Sequence, residues 1–348
     1  MLRFAAQWQN QDAILIAWPH LNTDWQPWFE QVNQTYIELV SKISPITKMI
    51  VLIDDCLDQI SIEQSLLSEQ VNLQNIRFIN INYDDTWARD FGVITLTDTQ
   101  NKVIPQSLNF TFNAWGDKFG SSQDNQINSK LEAIQFFNQP LKNIDFILEG
   151  GSIETDGKGT LLTSEICLLN PNRNKHLSKQ QIEQQLIEHL NVKRVLWLQS
   201  GHLAGDDTDA HIDTLARFVN ENTIVFQGCT DKNDEHFDAL TEMKFELESF
   251  KTLDGCAYNL IELPLAQAQF DADGERLPAS YVNFLISHQH IFVPIYQCDN
   301  DKIVIELLTK KLPQYTIVPV NCRTLIEQFG SLHCITMQLP QHTLNPEF

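Results

Sequence analysis

The chain is poor in basic residues. Its 24 lysines and arginines stand against 45 aspartates and glutamates, which gives a formal net charge of −21 at pH 7. A field of that sign repels nucleic acids and anionic membranes and attracts cations. We therefore expect no nucleic-acid or membrane partner, and a cationic ligand is favoured. Solubility alone also explains such a composition.

Several other features are missing. No apolar run approaches the roughly 18 residues of a membrane span, and residues 1–4 lack the basic and apolar regions of a signal peptide. The seven cysteines are an odd number without any C-x-x-C pair, so zinc-knuckle and thioredoxin-type motifs are not supported. We expect a cytoplasmic protein with reduced thiols.

No linker divides the chain. It has no Pro/Gly/Ser-rich tract, long charge run or low-complexity segment. With 43% hydrophobic residues it can bury a sizeable core. We expect residues 1–348 to form a single domain, either one large unit or several small fused ones.

The apolar pattern alternates between strands and helices. Buried strands are predicted at 13–18, 48–53 and 76–81. A helix is predicted to begin at an Asp24 N-cap, and another covers 59–69. This βαβ rhythm predicts an α/β protein.

Local signals mark further elements. The segment 156–159 (Asp-Gly-Lys-Gly) predicts a hairpin turn. Ser178, with Gln181 three residues later, predicts a capping box at the start of a helix. A strand is also predicted at 281–286.

One cysteine near the C-terminus is placed as a nucleophile would be. Cys334 follows Gly330 and Ser331, which loosen the backbone, and an apolar-alternating segment comes after it. This pattern predicts a thiol at the end of a loop, where a strand begins. A thiolate attacks trigonal carbon when its pKa is lowered or when a base is adjacent.

Candidate partners lie far away in sequence. Asp90 stands beside Arg89, and pairing within the loop explains it about as well as a role in binding. Glu149 precedes two glycines, which indicates either backbone crowding or a tight turn. His211 and Asp213 are two apart on a predicted strand and would share one face.

The acidic run 206–213 has a second interpretation. Asp206, Asp207, Asp209, His211 and Asp213 could form a carboxylate/histidine metal site. An EF-hand is excluded, because the glycine and bidentate glutamate are missing at their required positions.

Carboxylates around a cysteine suit a cationic substrate. They raise a thiol's pKa and repel an oxyanion, so they are unsuited to ester or amide chemistry. A guanidinium stays charged and presents a planar fork of donors. Two carboxylates can hold that fork bidentately and direct its carbon at sulfur.

The sequence resembles the agmatine deiminase family of guanidine-modifying enzymes, related to bacterial-type peptidylarginine deiminases. The matches run in order from about residue 13 to 340. The segments that carry the resemblance are 87–90 (Trp-Ala-Arg-Asp), 148–153 (Leu-Glu-Gly-Gly-Ser-Ile), 159–163 (Gly-Thr-Leu-Leu-Thr), 168–174 (Leu-Leu-Asn-Pro-Asn-Arg-Asn), 211–213 (His-Ile-Asp), 216–218 (Ala-Arg-Phe) and 333–336 (His-Cys-Ile-Thr).

The resemblance implies a pentein fold, a five-bladed α/β propeller of ββαβ-type units with pseudo-fivefold symmetry. It implies that Cys334 is the nucleophile, that His211 is the general acid/base, and that Asp90 and Asp213 grip the guanidinium. Glu149 would lie against His211 or the substrate. No metal or organic cofactor is implied, and homodimers are common in the family.

The substrate tail is less constrained. The resemblance implies Trp87 as a wall for an aliphatic chain, and the ammonium of agmatine would want acids such as Asp85, Asp206 or Asp207. Ala210 stands where many members have glycine. The alternatives are a deiminase of free or peptidyl arginine, a non-catalytic pentein binding protein, and a metallohydrolase using the 206–213 run.

Overall fold

The computed structural model describes residues 1–98, 100 and 102–348. The strands are β1 Arg3–Phe4, β2 Gln11–Ala17, β3 Lys48–Ile53, β4 Ile76–Asn80, β5 Ile94–Thr97, β6 Gln106–Thr111, β7 Lys142–Ile147, β8 Ile153–Thr155, β9 Thr160–Ser164, β10 Arg194–Leu198, β11 Ala216–Asn220, β12 Thr223–Gln227, β13 Asn259–Leu263, β14 Gln269–Phe270, β15 Arg276–Leu277, β16 Leu285–Ser287, β17 His290–Ile295, β18 Thr316–Asn321 and β19 Met337–Pro340. The α-helices are α1 Phe29–Ile43, α2 Gln59–Ser68, α3 Ala88–Phe91, α4 Ala114–Asp117, α5 Ile127–Ala133, α6 Glu165–Leu168, α7 Lys179–Leu190, α8 Phe237–Ser249 and α9 Asn300–Lys311.

One arrangement recurs in five of the sheets. An antiparallel strand pair is followed, after a helix, by a strand parallel to the second member of the pair. The sets are β5/β6 with β7, β8/β9 with β10, β11/β12 with β13, β16/β17 with β18, and β19/β2 with β3 and β4. In the last set, β19 from the C-terminal end pairs with β2 from the N-terminal end. The predicted α/β class is confirmed.

The apolar runs form strands that are buried on both faces. All five residues from Ala13 to Ala17 in β2 are buried, as expected for a strand covered on both sides by other layers. In α1 the residues Val32, Tyr36, Leu39 and Ile43 recur at helical spacing and are fully buried. Each such aliphatic side chain contributes roughly 1.5–3 kcal/mol when it leaves water.

The hairpin and the capping box are confirmed. β8 and β9 pair antiparallel around the 156–159 turn. The Ser178 hydroxyl accepts from the Gln181 backbone, while the Gln181 side chain accepts from the Ser178 N–H. Among the described residues, none of the helices has the length and hydropathy needed to cross a membrane.

Two predicted element boundaries are wrong. α1 begins at Phe29 without a side-chain cap, after a 3-10 turn at Gln26–Trp28 whose first turn contains proline, and Asp24 does not cap it. The predicted strand at 281–286 is replaced by the short β16, which begins at Leu285. Side-chain bonds hold the segment before β16, since the Ser280 hydroxyl donates to the Thr214 carbonyl.

Candidate active site

Each of the five recurrent units places one polar side chain in the segment directly before its first strand. Asp90 precedes β5, Glu149 precedes β8, Asp213 precedes β11, Asn283 precedes β16 and Cys334 precedes β19. Each is more than nine-tenths buried. The predicted strand at His211 and Asp213 is wrong, because Asp213 lies in a 3-10 turn, Ile212–Thr214, that directs the chain into β11.

The absence of a side chain at Gly151 allows His211, Asp90 and Asp213 to lie close together. A Cβ atom there would lie 2.6 Å from Nδ1 of His211, 2.8 Å from Oδ1 of Asp90 and 3.1 Å from Oδ2 of Asp213. Its N–H donates to Oδ1 of Asp90 at 2.8 Å. The crowding suggested by the two glycines after Glu149 is therefore real, and position 151 must be glycine.

Asp90 is held by neutral donors. Besides Gly151, the Trp115 indole N–H donates to Oδ2 of Asp90 at 3.0 Å. Burial, with the nearby charge of Glu149, raises the pKa of Asp90 to about 7. Pairing with Arg89 is not found, since the Arg89 guanidinium donates to the Gln338 side chain.

Trp115 reaches Asp90 from a left-handed turn. Ala114, Trp115, Gly116 and Asp117 all have positive φ, at 47°, 57°, 93° and 61°. A non-glycine residue in this region costs about 1–2 kcal/mol. Strained backbone of this kind is typical of functional sites, and here it holds the Trp115 indole toward Asp90.

Asp213 and Cys334 lie side by side. The Cys334 Sγ is 3.9 Å from Oδ2 of Asp213 and 3.5 Å from Oδ1 of Asn283. The Asn283 Oδ1 also accepts from the His333 N–H at 2.8 Å, which fixes the loop that carries the thiol. Burial and the charges of Asp213 and Asp90 raise the pKa of the Cys334 thiol well above its ordinary value.

The His211 imidazole has a lowered pKa and one nitrogen without a partner in the described part of the chain. Burial, with the charges of Arg173 and Lys118, lowers its pKa well below the usual value. Its Nδ1 lies 3.7 Å from Oδ1 of Asp90, and its Nε2 has no hydrogen-bond partner among the described residues. Ala210, directly before it, has φ +63°, which explains a preference for glycine there.

Glu149 is engaged by an arginine rather than by His211. The Arg173 Nε lies 2.8 Å and 3.1 Å from the two Glu149 oxygens, and its Nη1 donates to Asp209 at 2.8 Å. A Glu149 oxygen and a His211 ring nitrogen lie within 4.8 Å without a hydrogen bond. Glu149 was expected against His211 or the substrate. It lies near His211 without a direct bond and accepts from Arg173 with both oxygens, and its role stays a prediction.

A cavity lies over the Cys334 thiol. Its walls are aromatic and its polar lining is mostly acidic. A Cβ at Gly330 would lie 2.0 Å from the Trp87 ring, so only glycine lets that ring pack here. The lining residues are Asp24, Asp85, Trp87, Asp90, Trp115, Phe119, Asp207, Thr208, Gln328, Phe329, Gly330 and Cys334.

Two of the acids expected at the substrate tail line this cavity. Burial raises the pKa of Asp85 to about 6. Burial and the charge of Asp206 raise the pKa of Asp207 to about 7. Asp206 does not line the cavity: its carboxylate accepts from the backbone N–H groups of Thr208 and Ala210 and shapes the loop.

The acidic run 206–213 does not converge on one point. Asp206 binds its own loop, and Asp209 accepts from Lys118 at 2.9 Å and from Arg173 at 2.8 Å. Asp213 accepts from His333 instead. These separate engagements give the metallohydrolase interpretation no common ligand centre.

Sequence reasoning missed several members of this site. Asn283 was hidden inside a wrongly predicted strand, and only its place before the first strand of a unit could have indicated it. Arg173 and His333 stood inside family-like segments without an assigned role. Trp115 is followed by Gly116, a weak sign of an unusual turn.

The fold and these side chains define a class of α/β proteins that gather a thiol, an imidazole and buried carboxylates beneath an acidic, aromatic cavity. Residues 3–340 match the family described as Porphyromonas-type peptidyl-arginine deiminase, and the chain belongs to that family. The predicted family resemblance is confirmed.

Individual relatives agree. A protein of Yersinia pseudotuberculosis that carries an agmatine deiminase name is 34% identical, covering 96% of this chain and 94% of the relative. One from Vibrio parahaemolyticus with the same name is 31% identical, covering 97% and 96%. A C. jejuni agmatine deiminase, solved as a cysteine-to-serine variant with substrate bound, is 39% identical with a TM-score of 0.90 and covers 99% of this chain and 98% of its own. These relatives are hydrolases of C–N bonds, which confirms the expected enzyme class.

Proposed function

We propose that this protein hydrolyses agmatine to N-carbamoylputrescine and ammonia through a covalent amidino-cysteine intermediate. The observation that carries the proposal is the pair Asp90 and Asp213, two buried carboxylates beside the Cys334 thiol. Neither forms a salt bridge with a lysine or arginine in the described part of the chain. A guanidinium, which keeps its charge when buried, is the natural partner for both.

The bound cation also activates the sulfur. The raised pKa of Cys334 comes from burial and from the negative charges of Asp213 and Asp90. A guanidinium between them offsets those charges and favours the thiolate. Cys334 then attacks the guanidinium carbon, and the neutral His211 takes up the thiol proton.

His211 next donates this proton to the leaving nitrogen, and ammonia departs. The C–S bond of the amidino intermediate is broken by water, which His211 deprotonates as it attacks the same carbon. The sulfur leaves as thiolate and takes back the proton held by His211, while the protonated ureido product gives up the proton that came with the guanidinium to the released ammonia. The sum is one water consumed, one ammonia released and a ureido product.

The cavity lining supports agmatine over arginine. Asp24, Asp85 and Asp207 add negative charge along the path from the thiol to solvent. They attract the ammonium of agmatine and repel the α-carboxylate of free arginine. Trp87 and Trp115, with ring centroids 6.4 Å apart, suit the aliphatic chain. Cys334 is only 6% exposed, which favours a small substrate over an arginine within a protein.

The same proposal includes the finer points of the family resemblance. Five recurrent units placed around one site make a five-bladed propeller, in one domain that covers residues 1–348. Pairing of β19 with β2 supports closure of such a ring. We also propose that the protein is a homodimer and that it is located in the cytoplasm, where a catalytic thiol stays reduced.

The test is ammonia release from agmatine, free arginine and a blocked arginyl peptide, measured side by side with EDTA present. We expect release from agmatine alone, loss of release in Cys334→Ser, and unchanged release in Cys256→Ser, which alters an exposed cysteine. Mass spectrometry after an acid quench should find the amidino adduct on Cys334. Faster ammonia release from arginine or the peptide would contradict agmatine as the substrate. Full activity of Cys334→Ser would contradict covalent catalysis.

A further inference from the structure

A second cluster of ligating side chains lies at the carboxyl edge of another sheet. β2, β3 and β4 run parallel, so their C-terminal ends lie side by side. His20 follows β2, while Asp54 and Cys56 follow β3. One ligand atom from each of the three lies within 4.8 Å of the others. None of them lines the Cys334 cavity.

His20 is the unusual member of this cluster. Its side chain is buried, and neither ring nitrogen has a hydrogen-bond partner among the described residues. A buried polar atom without a partner costs about 1–3 kcal/mol. An imidazole nitrogen without a hydrogen-bond partner is a group that can ligate a metal.

The other two groups complete a ligand set. Asp54 uses Oδ1 to accept from the Cys56 N–H at 3.0 Å, which leaves Oδ2 for another partner. Cys56 is exposed and lines an open groove beside α1 and α2, so an ion can reach it. Thiolate, imidazole and carboxylate together are ligands that Zn²⁺ accepts, at distances of about 2.0–2.3 Å.

We propose that His20, Asp54 and Cys56 form a zinc site with three protein ligands and a fourth position for water. The thiolate is the form of cysteine that binds a metal, so an incoming ion displaces the proton from the Cys56 sulfur and binding releases it to solvent. Three ligands and an open groove make the site exchangeable rather than part of the folded core.

The contrast with the other cluster of potential ligands supports the choice. Glu149, Cys167 and His211 are equally close to one another and fully buried. There the Arg173 guanidinium already occupies both Glu149 oxygens and opposes a second cation. No lysine or arginine of the described chain forms a salt bridge with Asp54.

The test uses the full-length protein and Zn²⁺ alone, with iodoacetamide labelling of each cysteine followed by mass spectrometry. We expect Zn²⁺ to slow the labelling of Cys56 at least about tenfold, as metal ligation protects a thiolate. Cys256, also exposed but in no such cluster, serves as the internal control and should label at an unchanged rate. This reading does not depend on enzyme activity.

Two variants separate ligation from folding. His20→Phe keeps a ring in a site where neither nitrogen is hydrogen-bonded, and Asp54→Asn keeps the oxygen that accepts from the Cys56 N–H. Both should abolish the protection of Cys56 and lower the Zn²⁺ affinity measured by calorimetry at least about tenfold. Equal labelling of Cys56 with and without Zn²⁺, or protection that survives both substitutions, would overturn the site.

Discussion

Nδ1 of His333 lies 2.7 Å from Oδ2 of Asp213, and both side chains are fully buried. The direction of the bond follows from Asp213, because a carboxylate oxygen accepts hydrogen bonds. The hydrogen of His333 is thereby assigned to Nδ1, which donates to the carboxylate beside the thiol. On the other side of the ring, Nε2 of His333 lies 2.9 Å from Nε2 and 3.1 Å from Oε1 of Gln7.

The first prediction concerns this positioning role of His333. Replacement by alanine should leave Oδ2 of Asp213 without its donor and lower kcat/KM for agmatine about 10- to 100-fold, since a lost bond to a charged group costs about 1.5–3 kcal/mol. Replacement by asparagine, whose amide N–H can take the place of Nδ1–H, should restore much of the activity. Steady-state kinetics with far-UV circular dichroism distinguish this from misfolding. Equal losses in the two variants would mean that His333 only fills space.

The second prediction concerns the pH dependence of Asp90. Its pKa is raised from 3.8 to about 7 by burial and by Glu149. The native state therefore holds this proton when the unfolded state has lost it, and stability falls as pH rises through that window. Guanidinium binding needs the ionised carboxylate of Asp90. We therefore expect kcat/KM to rise with pH, by up to about tenfold per pH unit, and to level above about pH 7.

Trp115→Phe supplies the matched test of that assignment. Trp115 donates to the ionised carboxylate, so its loss should raise the pKa of Asp90 further and move the rising limb to higher pH. The measurement is the kcat/KM profile of both proteins from about pH 5 to pH 9. If the rising part of the pH profile is unchanged in Trp115→Phe, a group other than Asp90 controls it.

Local sequence signals predicted the α/β alternation, the hairpin around 156–159 and the Ser178 cap, because each depends on residues a few positions apart. The segments that resemble the family identified Asp90, Asp213 and Cys334 as candidate site residues. Their roles remain proposals, although the structure brings Asp90, Asp213 and Cys334 together.

The contacts that support these groups could not be predicted in the same way. Asn283 bonds the loop of His333 across 50 positions, and His333 reaches Asp213 across 120. Strand and helix periodicity contains no information about such separations. The same limit applies to Glu149, which was expected against His211 or the substrate, since nothing local indicates that Arg173 donates to both its oxygens.

The third prediction concerns stability at Ala210. Its φ of +63° strains a residue with a Cβ by about 1–2 kcal/mol, while glycine adds about 0.4–1 kcal/mol of unfolded-state entropy. Ala210→Gly should therefore raise the free energy of unfolding by about 0.5–1 kcal/mol. Ala239→Gly, inside α8, is the control and should lower it by a similar amount. Urea unfolding compares them, and a destabilised Ala210→Gly would contradict the strain argument.

The fourth prediction concerns the ammonium end of the proposed substrate. Asp207→Asn keeps the shape of a half-buried cavity residue and removes its charge, so KM for agmatine should rise about tenfold with little change in kcat. Butylguanidine lacks the ammonium, and its kinetics should be unaffected by the substitution. Glu188→Gln makes the same change in net charge on the exposed face of α7 and should alter neither substrate. If Asp207→Asn weakens both guanidines equally, the carboxylate acts on the whole cavity rather than on the substrate tail, and the argument for agmatine over other guanidines loses its main support.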